Sequence, residues 1–196
     1  MKISRRDILK GVSVIAGSAT ASVLLSSKSM AALSTYSQGN GKEKPKLFSP
    51  LQTEVLKKVC ELTIPKTDTP SAADVNCHHF VDHQLQAVFT PNEGDAIVEV
   101  LNKIAHSSED KYATGFTAAK ETQQLELLTA LEAKESPFTD QHHQAFKMLK
   151  GLIVFGYYTS MPGATKELTY LAVPGGFRGS VPYSEIGSAY SSKAFY

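Results

Sequence analysis

Arginine, cysteine and long apolar runs are all scarce in this chain of 196 residues. Two of its arginines, Arg5 and Arg6, stand side by side near the start, and only Arg178 lies beyond them. There are two cysteines, Cys60 and Cys77. No G-x-G-x-x-G follows a strand-like run, and the glycines of "GNG" at 39–41 and "PGGFRG" at 174–179 have no helix start after them, which argues against a nucleotide site. No C-x-x-C-H is present to attach haem covalently, and no G-x-S-x-G to place a serine nucleophile. No segment after the first 31 residues approaches the roughly 20 apolar residues that span a bilayer.

The beginning of the chain carries an address. "SRRDILKG", residues 4–11, precedes an apolar run over residues 11–25 that is diluted by glycine and serine, and small residues follow around Ser29-Met30-Ala31. Paired arginines, an apolar stretch and small side chains at the last and third-last positions form a leader that signal peptidase would cut after Ala31. The order S-R-R-x-Ile-Leu-Lys is close to the twin-arginine motif, which exports folded cargo. An ordinary secretory signal with two arginines by chance is the alternative. Either way the processed chain is expected outside the cytoplasm, in the periplasm, reaching a membrane only through partners.

Removing residues 1–31 takes away five basic residues and one acid, which leaves 15 basic against 18 acidic residues and a net charge of −3. A mildly acidic, arginine-poor surface argues against nucleic acid, which demands clustered positive charge. About 165 residues are then enough for one core and one domain. Residues 32–47, polar and Gly-rich over "STYSQGNGKEKPK", read as a flexible linker.

Residues 48–170 read as a helical domain. Ser49, Pro50 and Gln52 form a cap, a proline at the first helical position and a capping box, followed by Leu51, Val55, Val59 and Leu62 on one face until Pro65. A second helix is expected over residues 75–89 with Phe80, Val81, Leu85 and Val88 inward. Thr90, Pro91 and Glu93 open a third, carrying Ile97, Val98, Leu101, Ile104 and Ala105. Leu125, Leu128 and Leu131 mark a fourth, and Phe146, Leu149, Leu152, Ile153 and Phe155 a fifth. The expected class is all-α: one domain of about five helices, a short helical piece over residues 164–170, and an irregular Gly/Pro/Tyr-rich C-terminal segment over residues 171–196. Such a polar-aromatic segment suits a partner interface, since tyrosine and phenylalanine supply contact area at modest entropy cost.

Chemistry-bearing clusters are few. In "CHHFVDH", His79 and His83 fall one helical turn apart with Asp82 near, but zinc needs a third or fourth ligand, and "HH" at 142–143 is too ordinary to supply it. Solvated or locally bonded histidines are the preferred reading, and no metal or cofactor is assigned to the chain. Cys60 and Cys77, an even count in an oxidising compartment, favour a disulfide; two buried free thiols, or one bonded to a partner, are the alternative.

Two stretches carry a family resemblance. "LTIPKTDTPSAADVNCHHFVD", residues 62–82, resembles the signature of the gluconate 2-dehydrogenase subunit 3 family, with Ile-Pro ending a helix, then T-D-T-P and a small-residue pair. "GYYTSMPGATKELTYLAVPGGFRGSVPY", residues 156–183, is similar to that family's C-terminal pattern of paired aromatics and a Pro-Gly-aromatic-x-Gly loop. Ser71 stands where the family usually has Gly, and Cys77 where it usually has Pro. The leader fits too, because members commonly carry twin-arginine signals.

The resemblance implies a non-catalytic small subunit of a membrane-associated, FAD-dependent sugar or polyol dehydrogenase. Its large subunit would be a flavoprotein of the glucose-methanol-choline type holding the FAD. A multihaem cytochrome c, with haem c, would take the electrons onward in some complexes. The small subunit would assist maturation, co-export and stability of the flavoprotein, and it offers no catalytic residues to transfer. Within this reading Tyr157, Tyr158, Tyr170, Phe177 and Arg178 are the expected partner contacts, with a core position on the fifth helix as the alternative for Tyr157. A stand-alone exported helical module that binds a small ligand or metal is the competing reading.

Overall fold

The computed structural model describes residues 27–38, 47–168, 180 and 182–187. These residues form α-helices and connecting turns, with no strand among them: α1 (Ser27–Gln38), α2 (Pro50–Thr63), α3 (Cys77–Ala87), α4 (Pro91–Tyr112), α5 (Glu121–Glu132), α6 (Asp140–Thr159), a π-helical turn (Gly163–Glu167) and the short α7 (Tyr183–Ile186). The five expected helices correspond to α2–α6, and α1 and α7 are additional. Arg5, Arg6, Tyr170, Phe177 and Arg178 lie outside the described residues.

Local chemistry starts these helices where the sequence places the starts. The Ser49 amide donates to Gln52 Oε1 at 2.9 Å and the Gln52 amide to Ser49 Oγ at 3.3 Å, a reciprocal cap that satisfies two donors the helix would otherwise leave unpaired. At α4 the Glu93 carboxylate accepts from both the amide and the hydroxyl of Thr90, each at 2.8 Å. The start of α6 uses a device the sequence reading missed. His142 Nδ1 accepts from the Thr139 amide at 3.1 Å, and the His142 amide donates to Thr139 Oγ1 at 3.3 Å, so a histidine fills the role that glutamate or glutamine fills elsewhere.

The most apolar helix, α6, packs against α2, α3, α4, α5 and the π-helical turn. Its buried face runs through Phe146, Leu149, Ile153 and Tyr157, at steps of three and four that keep one stripe inward, with Leu152 buried beside it. Val55, Leu56 and Val59 of α2, Phe80, Val81 and Leu85 of α3, Ile97, Leu101 and Ile104 of α4, and Leu127 and Leu131 of α5 complete the core. Gly156 lies where α6 crosses α3. A Cβ built there would stand 2.5 Å from Phe80 Cδ1, so only glycine permits this approach.

Several expectations are corrected. Residues 32–38 belong to α1, a helix docked on α3, where a flexible linker was expected. α3 begins at Cys77 because Asn76 adopts the left-handed conformation (φ 59°), which asparagine tolerates. Leu51 is 63% exposed because the inward face of α2 is set by Val55, Leu56, Val59 and Cys60. Leu125 is also exposed; Gln124, Leu127, Leu128 and Leu131 form the inward face of α5. The piece expected over residues 164–170 is a π-helical turn over Gly163–Glu167, with Leu168 extended after it.

Candidate functional site

The two stretches that carry the family resemblance meet at one end of the bundle. The first forms the loop between α2 and α3. Its neck is closed by the Ala72 amide, which donates to Ile64 O at 3.0 Å. Inside it, the Ser71 amide donates to Asp74 Oδ2 at 3.0 Å while the Asp74 amide donates to Ser71 Oγ at 3.1 Å. Hydrogen bonding from the Ser71 amide, and then from its side chain, holds the Asp74 carboxyl below the usual range, and Lys66 and Lys57 act in the same direction. Ser71 therefore supplies an acceptor that a glycine at this position would lack.

The second stretch is the end of α6 and the π-helical turn. Tyr157, 0% exposed, reaches back under the loop and donates its hydroxyl to Pro70 O at 2.9 Å, with Thr69 Oγ1 3.3 Å away. Thr69 in turn donates to Glu167 Oε2 at 2.6 Å. A Cβ at Gly163 would fall 2.1 Å from Tyr157 O, so the turn depends on glycine for its close approach to α6. Together these contacts fix the T-D-T-P loop against the turn.

Between loop and turn runs a shallow groove of about 380 Å³ lined by Lys66, Asp68, Thr69, Pro70, Asp74, Val75, Pro162 and Lys166. Met161, 80% exposed, projects from the same turn. The chain continues from this turn toward residues 170–178. The arrangement is a small surface of mixed charge with one large exposed apolar side chain, held from beneath by the Tyr157 and Thr69 hydrogen bonds.

Of the expected contact residues, Tyr157 is corrected to a core position: it follows Leu149 and Ile153 at four-residue steps, so the same stripe buries it. Tyr158 is half-buried, its ring edge-on to Tyr157 at 5.3 Å. Burial raises its pKa, and the nearby Glu167 and Tyr157 add to the shift.

The cysteines are both buried in the core as free thiols, in place of the expected disulfide. Burial pushes the Cys77 thiol up to about 12 and that of Cys60 well above its ordinary value, with Cys77 adding to the latter. Both sulfurs are thus held in the protonated form, which does not attack disulfides.

The histidine cluster is built around His78, which is buried and stacks on His79 with ring centroids 4.2 Å apart. Burial lowers the His78 pKa to about 4, and His79 and Lys57 push it the same way. His79 and His83 are half-buried. Among the described residues no group of three His, Cys, Asp or Glu side chains is placed to hold a metal ion, and no helix is long and apolar enough to cross a membrane.

An all-α body whose two signature stretches are braced against each other at one end is the class that fold and site define. More particularly, the chain belongs to the gluconate 2-dehydrogenase subunit 3 family, whose pattern matches residues 50–175. The match begins at the first residue of α2, covers the first signature stretch and the second as far as residue 175, and is consistent with a small subunit of a dehydrogenase complex. Comparison with curated proteins and with solved structures finds no match.

Proposed function

We propose that this chain is the non-catalytic small subunit of a periplasmic, FAD-dependent sugar or polyol dehydrogenase of the gluconate 2-dehydrogenase kind, and that it assists maturation, export and stability of the flavoprotein large subunit. The observation that carries the reading is the family match over residues 50–175, joined to the bracing of both signature stretches into one surface. The flavoprotein partner, of the glucose-methanol-choline type, holds the FAD and performs the oxidation. A multihaem cytochrome c receives the electrons where the complex includes one, and the membrane is reached through these partners.

A flavoprotein acquires its cofactor in the cytoplasm by folding around it, so it needs an export route for folded cargo. One twin-arginine leader, on a small chain that folds and docks first, can carry both. The loop-and-turn surface, with Met161 and the residues that follow it through Tyr170, Phe177 and Arg178, is the docking face. Arg178 suits a bidentate contact with a partner carboxylate.

The test is to replace Arg5 and Arg6 together by Lys and follow the flavoprotein in cell fractions. Both chains should accumulate in the cytoplasm as a flavin-loaded pair. Normal arrival of the flavoprotein in the periplasm would remove the co-export role.

A further inference from the structure

Where the sequence suggests a cut followed by a slack tether, the structure has a helix. α1 runs through the Ala31–Ala32 bond and packs on α3. Its sequence, SKSMAALSTYSQ, has no acidic residue in the first turn and no basic residue in the last to favour a helix. Isolated helices as short as about 12 residues are marginal in water, so docking on α3 is what holds this one.

The docking contacts lie on both sides of that bond. Before it, Ser29 is fully buried and donates its hydroxyl to Gln84 Oε1 at 3.4 Å. After it, Ala32 is buried, and the Tyr36 ring stands edge-on to Phe80 at 5.6 Å and over His83 at 5.5 Å. The Tyr36 hydroxyl donates to Asn76 O at 3.3 Å. Ser29 and Ala31 are the two small residues a signal peptidase would read, and the first is inside the protein. A protease needs its substrate released from helical hydrogen bonding and accessible around the cut, so these residues must leave both the helix and α3 before hydrolysis.

We propose that docking of α1 on α3 masks the leader's processing site, so that the folded precursor is cut only from a minor state in which α1 has peeled away. The cut is hydrolysis by signal peptidase: the C–N bond of Ala31–Ala32 breaks, the hydroxyl of water joins the Ala31 carbonyl carbon, and water's remaining proton goes to the Ala32 nitrogen, which becomes a free amine. When reclosing is faster than cutting, the rate of maturation follows the population of the undocked state. Folding of the body and removal of its leader are thereby coupled through Gln84, Phe80 and Asn76. The inference rests on the export reading above.

The experiment compares the purified full-length precursor with a synthetic peptide of residues 20–40, both treated with detergent-solubilised signal peptidase. Products are read by mass spectrometry. The peptide should be cut after Ala31, and the precursor about tenfold more slowly or less. Gln84→Ala and Tyr36→Ala leave residues 29–32 unchanged and should each speed cutting of the precursor several-fold, while circular dichroism and melting show the body still folded. Hydrogen exchange on the unmodified precursor gives a second measure that needs no variant: amides of residues 33–38 should be protected.

Cutting of the precursor as fast as the peptide, unprotected amides in that segment, or folded variants cut no faster than the parent would each overturn the masking and leave the export reading standing. A peptide that is not cut at Ala31 would instead remove the processing site itself, and the masking with it.

Discussion

Replacing Gly156 by Ala adds one methyl group where α6 crosses α3. The new Cβ would lie 2.5, 3.0 and 3.1 Å from Phe80 Cδ1, Cε1 and Cγ. The Phe80 ring is 3% exposed, with Tyr36 edge-on at 5.6 Å and Phe155 at 5.9 Å, so it has no free direction in which to swing. Overpacking of this kind costs about 1–3 kcal/mol. Alanine's better helix propensity returns roughly 0.8–1.0 kcal/mol. The net expectation is a loss of up to about 2 kcal/mol, read as a fall in Tm of up to roughly 8 °C for a domain of this size. Gly94→Ala is the matched control. It too is a helical glycine, but its added Cβ would meet only Leu47 Cδ2 at 3.5 Å, an ordinary contact, so propensity wins and Tm should rise. The assay is thermal unfolding by circular dichroism of both variants. Equal shifts in the two, or a Gly156→Ala protein at least as stable as the parent, would refute the crossing argument.

Tyr157→Phe removes the donor to Pro70 O and should cost about 1–3 kcal/mol in a urea titration with m unchanged, whereas an unaffected midpoint would mean that water replaces the hydroxyl. Cys60 and Cys77, buried and protonated, should be silent to a thiol reagent in the native protein and both react once it is unfolded; an intact mass lower by about two hydrogens, with no thiol released, would show a disulfide instead. His78 has a folded pKa of about 4, below its ordinary 6.5. The unfolded chain therefore binds the extra proton between those values, so His78's contribution to stability is complete above pH 6.5 and is lost as pH falls toward 4. His78→Leu should flatten the decline of Tm over that window, and an unchanged slope would show that other groups cause it.

The chain signals its helix starts clearly where a cap, a proline and a returning side chain coincide, as at Ser49-Pro50-Gln52 and Thr90-Pro91-Glu93. Local bonds alone fix those points. α1 has none of these signals, and only the docked positions of Ser29, Ala32 and Tyr36 on α3 give it a reason to be helical, which no local pattern contains. Leu51 and Leu125 mislead because an apolar residue at a plausible spacing does not reveal which neighbouring position turns inward. Gly156 and Gly163 carry no local signal of their roles, which depend on Phe80 and on the backbone of Tyr157. The candidate site was legible as two separate motifs. That Tyr157 joins them from inside, by its bond to Pro70, depends on a contact across 87 residues of chain.

As the proposed small subunit of a flavoprotein dehydrogenase, this chain should be isolated together with that partner. The most direct measurement is to tag its C-terminus, purify it from the periplasm and membranes of the native host, identify the accompanying chains by mass spectrometry and record a visible spectrum. A much larger partner with the absorption of bound flavin is expected, with sugar or polyol oxidation by the complex. A colourless, stable monomer with no companion would contradict it.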